Sequence, residues 1–107
     1  MPRFCQTLNL KDDAHLIAEY KKYHQNVWPD IRDFIRSAGI LSMEIYCYQT
    51  RLVMVMETDG DFSFERMDEL SKNNSKVQEW EDLMSNFQEP LAGVAQGTKW
   101  VLMERIY

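Results

Sequence analysis

From Arg3 to Leu10 the chain alternates. Phe4, Leu8 and Leu10 fall on one side, and Cys5, Thr7 and Asn9 on the other. A period of two predicts a strand. The period then lengthens. Leu16, Ile17, Tyr20, His24 and Val27 recur at helical spacing behind Asp12-Asp13, a pair that offers an N-cap and suits the positive end of a helix dipole. Pro29 has no N–H and interrupts that ladder, yet it can open a second helical segment. Ile31, Phe34 and Ile35 give this segment an apolar face, and Gly39 offers a C-cap.

Alternation returns from Ile40 to Gln49. Leu41, Met43, Ile45 and Cys47 face one way; Ser42, Glu44, Tyr46 and Tyr48 face the other. After a short turn at Thr50-Arg51 a third strand runs from Arg51 to Thr58, and so tight a connection makes the two strands an antiparallel hairpin. Asp59-Gly60-Asp61 is a turn. Phe62 to Asn73 and Ser75 to Phe87 read as helices, with Phe64, Met67 and Leu70, then Val77, Trp80, Leu83 and Met84, as apolar stripes. Pro90 to Gly97 is a loop, and Lys99 to Ile106 a final strand.

The order β-α-β-β-α-β predicts an α+β, ferredoxin-like domain spanning residues 1–107, with helices on one face of a four-stranded sheet. The other face must be wet, bind a ligand or pack on a second subunit. Glu44, Tyr46 and Tyr48 would point there, joined by Glu57. This mixture of polar and aromatic groups reads as a pocket wall inside a homodimer, and two-fold dimers are the commonest soluble assemblies.

Composition narrows the partners. A net charge of −5 argues against nucleic acid and against anionic membrane surfaces. No apolar run approaches the roughly 20 residues of a membrane helix. Met1 to Gln6 enters strand-like sequence without an apolar signal region, so a cytoplasmic location is expected. Cys5 and Cys47 then read as buried free thiols. No His/Cys cluster has zinc spacing, and the four glycines form no phosphate-binding loop.

The candidate chemistry lies in Tyr20, His24 and Trp28. Spaced four apart, they would share one face of a helix. Imidazole exchanges protons near neutral pH, and aromatic rings beside it could carry the apolar face of a sugar. A histidine between aromatics is also a common hydrogen-bonded packing residue. Trp28, beside Pro29, reads equally as core that fixes the loop. Tyr23 and His15 fall off the stripe and read as surface. Glu79-Trp80-Glu81-Asp82 reads as a solvated helix face, and Trp100 as core or dimer contact.

At Tyr20-(x)3-His24-(x)3-Trp28-Pro29-Asp30 the chain resembles the L-rhamnose mutarotase family. The likeness continues through Gly39, Glu44-Ile45-Tyr46, Met56-Glu57 and Val77-Gln78-Glu79-Trp80, over about four fifths of the chain. The resemblance implies a dimeric α/β barrel of ferredoxin-like subunits. It implies interconversion of the α and β anomers of a 6-deoxy-hexose, without cofactor or metal. It matches His24 to the family's acid/base histidine, Tyr20 to its sugar-site tyrosine and Trp80 to a sugar-facing tryptophan. Glu81 stands where rhamnose enzymes tend to carry a second Trp. Their Asn-Pro-rich segment is replaced by Pro90 to Trp100. Both departures bring the chain nearer the branch assigned to L-fucose.

Mutarotation requires O1 to lose a proton and the ring oxygen to gain one. His24 is the expected acid/base, with Tyr20, Glu44, Glu57 or a water as its counterpart. Tyr20, Trp28, Glu44, Tyr46, Glu57 and Trp80 are the expected substrate-binding residues. Other readings are a different enzyme on the same barrel, such as a monooxygenase, and a non-catalytic ligand-binding dimer domain.

Overall fold

The computed structural model describes residues 2–107. Eight residues, Arg3–Leu10, form β1, the central strand. Helix α1 spans Ala14–Gln25, and Asp13 caps it by accepting from the backbone N–H groups of His15 and Leu16. Helix α2 spans Pro29–Ser37, with Pro29 in its first turn, where a missing N–H costs nothing. Strand β2 is Ile40–Tyr48 and β3 is Arg51–Thr58. Helices α3, Phe64–Lys72, and α4, Ser75–Ser85, start at Ser63 and Asn74, whose side chains accept from the exposed N–H groups of the first turn.

The sheet runs β2-β3-β1-β4, all antiparallel, and β5 also pairs with β1. The expected last strand, Lys99 to Ile106, is replaced by two short pieces. Strand β4 is Gln88–Glu89, directly after α4, and β5 is only Val101–Leu102. The sheet therefore has five strands rather than four. The expected helix ends were also long, since Phe62 and Ser63 precede α3, and Asn86 and Phe87 follow α4.

One corner decides which β2 residues face the helices. Gly39 follows α2 with φ +93, where a Cβ would meet Asp59 Oδ1 at 2.8 Å. That backbone region favours glycine. The register then shifts between Ile40 and Ser42, so Ile40 pairs with Thr58 while Ser42 pairs with Glu57. This bulge turns Leu41 outward, 55% exposed, against the expectation that it shares the Met43 and Ile45 face. Beyond it, Met43 and Ile45 lie toward the helices opposite Met56 and Met54.

Two apolar clusters fill the space between sheet and helices. One joins Leu10, Leu52 and Phe87 with Tyr20, Ile31, Val77, Trp80 and Met84. The other joins Ile40, Met54 and Met56, flanked by Phe4, Phe62, Phe64 and Met67. Ile35, Ile45 and Trp100 pack against both. Each such buried side chain contributes about 1.5–3 kcal/mol. Tyr23, expected at the surface, packs edge-on to Trp80 with ring centroids 6.4 Å apart. His15 is exposed as expected. Cys5 is half-buried and Cys47 exposed, and both are free thiols, so Cys47 is not the buried group foreseen.

Candidate active site

Between the helices and the sheet lies a cavity of about 620 Å³, lined from both clusters. Its polar groups include Gln6 from β1, Tyr20 and His24 from α1, Glu81 from α4, Gln88 from β4 and Lys99 ahead of β5. Trp80 and Trp100 supply aromatic wall. Methionines 43, 54, 56 and 67 line a sulfur-rich apolar part.

Tyr20 and His24 are neighbours because they sit one turn apart near the end of α1. Their ring centroids are 4.4 Å apart, and the His24 ring meets Trp80 edge-on at 5.7 Å. His24 Nδ1 lies 2.8 Å from the Tyr20 carbonyl oxygen. A carbonyl can only accept, so neutral His24 carries its proton on Nδ1 and keeps the Nε2 lone pair free. The backbone of one site residue thus selects the tautomer of the other.

Tyr20 is 3% exposed, and its hydroxyl accepts from Gln88 Nε2 at 3.3 Å. Burial pushes its phenol up to about 12, while the Gln88 hydrogen bond pulls the other way. At neutral pH this group is a hydrogen-bond donor and not a base. Two of the lining residues are tied together: Lys99 Nζ donates to the Glu81 carbonyl oxygen at 2.9 Å and pairs with its carboxylate at 3.1 Å. Glu81 is thereby engaged, unlike the freely solvated residue expected of that acidic run.

The sequence-derived candidates divide in two. Tyr20, His24 and Trp80 meet at the cavity. Trp28 is not on their helix: α1 ends at Gln25, and Trp28 is the N-cap of α2. It still reaches the group from behind, edge-on to Trp80 at 5.1 Å. Glu44, Tyr46 and Glu57 lie on the opposite face of the sheet and do not line the cavity. There Tyr46 donates to Glu44 at 3.0 Å, and Arg3 pairs with Glu57 at 2.6 Å. The alternation placed these three on the uncovered face correctly, but within one subunit that is not the face of His24.

Gln6, Gln88 and Lys99 escaped the sequence reading as cavity residues, whereas Glu81 entered it as a departure from the family pattern. Gln6 had a usable signal, a polar residue at the same strand parity as Phe4 and Leu8. Gln88 had none, since it follows a helix end and begins a strand of two residues. Among the described residues, no group of three or more His, Cys, Asp or Glu side chains is placed to hold a metal ion. No helix among them is long and apolar enough to cross a membrane.

A sequence model described as L-rhamnose mutarotase matches residues 3–107. The chain belongs to the L-rhamnose mutarotase family. Within that family it is 38% identical over 109 residues to an L-fucose mutarotase of Xanthomonas campestris pv. campestris, covering all of this chain and 87% of that protein. Its fold is similar to the crystal structure of an L-rhamnose mutarotase from Formosa agariphila, with a TM-score of 0.73 and 17% identity, over 100% of this chain and 97% of that one. A tetracenomycin F2 cyclase from Streptomyces glaucescens shares the fold at a TM-score of 0.61 and 18% identity, over 100% and 95%. One fold thus serves different chemistries, and the mutarotase family assignment rests on sequence.

Proposed function

We propose that this mutarotase-family protein interconverts the α and β anomers of L-fucose at the cavity between α1, α4 and the sheet, with His24 as acid/base. The observation that carries this reading is the Nδ1 contact to the Tyr20 carbonyl, which in the neutral imidazole assigns the lone pair to Nε2, on a ring set beside two aromatic rings. The 38% identity to an L-fucose mutarotase supports the choice of sugar.

In the opening half-reaction, Nε2 takes the O1 proton as the C1–O5 bond breaks and C1–O1 becomes a carbonyl. The same proton is then given to O5. Both oxygens are bonded to C1, so one nitrogen reaches both with little movement. Rotation about C1–C2 turns the carbonyl face, and the reverse steps close the other anomer. Tyr20 keeps its proton at neutral pH and steadies the ring oxygen or O1 by donating a hydrogen bond. The edge-on Trp80 ring offers an apolar surface to the C–H face of the sugar. Because the uncatalysed reaction is already quick, a positioned acid/base contributing about 10²–10⁴-fold is sufficient, and no metal or cofactor is required.

The open sheet face forms the homodimer contact in this reading. Tyr46 and Tyr48 are 57% and 75% exposed there, a large aromatic surface for a lone domain to leave in water. Sedimentation equilibrium should give twice the chain mass; a monomer at micromolar concentration would remove the barrel from the proposal.

NMR saturation transfer between anomers tests the activity. The wild-type protein should accelerate exchange of L-fucose more than of L-rhamnose, with and without EDTA, and His24→Ala should not. Acceleration of neither sugar would overturn the mutarotase reading.

A further inference from the structure

Gln88 is 7% exposed, and its two carboxamide atoms fare differently. Nε2 donates to the Tyr20 hydroxyl at 3.3 Å. Oε1 is buried and has no partner. It is the one buried side-chain N or O atom in that state among the described residues. A buried acceptor without a donor costs about 1–3 kcal/mol and is rare in folded proteins, so it calls for a physical reason. Nothing about local folding supplies one. A Met or Leu at this position of β4 would be of similar size and carry no unpaired acceptor, at the cost of the Tyr20 hydrogen bond. The side chain is also on the wall of the His24 cavity and not in closed core.

We propose that Gln88 is a substrate-binding residue, its Oε1 accepting a hydrogen bond from a sugar hydroxyl held beside the Tyr20 phenol. This rests on the mutarotase reading and adds a specificity element to it. The amide and the phenol form a paired reader. Nε2 occupies a lone pair of the Tyr20 oxygen, so the phenol hydrogen turns away from the amide and can be donated. Oε1 is the neighbouring acceptor. A donor beside an acceptor is what two adjacent hydroxyls, or one hydroxyl that both gives and receives, would satisfy. Polar sites of this kind discriminate strongly, because an analogue lacking the hydroxyl leaves the buried partner unpaired.

The test replaces Gln88 by Met and, separately, by Leu. Anomer exchange is followed against sugar concentration for L-fucose and for its 2-, 3- and 4-deoxy analogues, alongside thermal melting. Both variants should stay folded, with a modest loss of melting temperature from the Tyr20 hydroxyl that each leaves without its donor. KM for L-fucose should rise about tenfold, the worth of one hydrogen bond. One deoxy analogue should be turned over equally by wild type and variants, which identifies the hydroxyl. Two results would overturn the proposal: an unchanged KM, or an equal loss on every sugar, which would make Gln88 a residue acting only through Tyr20. Failure of the wild type itself to accelerate any sugar would instead remove the mutarotase reading, and this proposal with it.

Discussion

The two faces of the sheet share the same five strands and differ in almost everything else. The helix-covered face presents Leu8, Leu52, Met54 and Met56 to the helices, and its Gln6 and Gln88 line the same cavity as Tyr20 and His24 of α1. The open face carries charges and phenols already satisfied by one another, as in Arg3 with Glu57 and Tyr46 with Glu44. The difference teaches where chemistry is stored. Polar groups that pair among themselves have little left to offer a ligand. A lone-pair nitrogen fixed by backbone and a buried, unpartnered carbonyl oxygen do have something to offer, and both lie on the covered face.

The largest expected effect comes from the covered face. His24→Ala should lower anomer exchange by about 10²–10⁴-fold while the fold is kept, as read by saturation transfer and circular dichroism. A surviving rate would end the role of His24 and with it the contrast between the faces.

Tyr20→Phe should slow exchange about tenfold, the contribution of one hydrogen bond. It has a pH signature as well. The Tyr20 phenol titrates at 10.0 when unfolded and at about 12 when folded, so its stabilising effect is complete below pH 10 and is lost as pH rises toward 12. At roughly 1.4 kcal/mol for each unit, wild type should lose on the order of 2–3 kcal/mol over that window that Tyr20→Phe does not. Parallel melting curves for the two proteins across pH 9–12 would refute the burial argument.

Gly39→Ala probes the corner that separates the faces. With φ +93 and Asp59 Oδ1 2.8 Å from the new Cβ, it should cost about 1–2 kcal/mol in denaturant unfolding. An unchanged midpoint would mean that the bulge, and not the glycine, sets the corner. The smallest effects belong to the open face. Glu44→Gln and Tyr46→Phe should each leave the exchange rate within about twofold, because an exposed pair of this kind is worth under about 1 kcal/mol. A tenfold loss in either would return the site to the open face.

Much of the architecture was legible because it is periodic. The strands from Arg3, Ile40 and Arg51, the helix start behind Asp13 and the opening of α2 at Pro29 all follow from spacing and caps, while α1 ends at Gln25, short of the Val27 expected on its stripe. The last strand was not legible. From Gln88 to Leu102 the sheet is completed by two pieces of two residues each, too short to establish a period, with pairing determined by β1 rather than by their own sequence. The site was half legible for a related reason. Tyr20 and His24 lie on one helix, so local spacing joined them. Trp28 left the stripe when α1 ended, and Gln88 reaches Tyr20 across 68 positions of chain, a separation at which no local pattern operates. Glu44, Tyr46 and Glu57 fell on the face that alternation gave them, across the sheet from His24, since alternation specifies sides but not which side holds a ligand.

His24 lies one residue before the end of α1, and the carbonyl that fixes its tautomer belongs to the preceding turn. Final turns fray at a free energy below that of global unfolding. The geometry proposed for proton transfer is therefore only as durable as one turn of helix. On warming, the imidazole should lose its preferred tautomer, visible in its ring nitrogen chemical shifts, while the sheet beneath it is still intact. For this small domain, inactivation and melting become two separate temperatures, the first lower than the second.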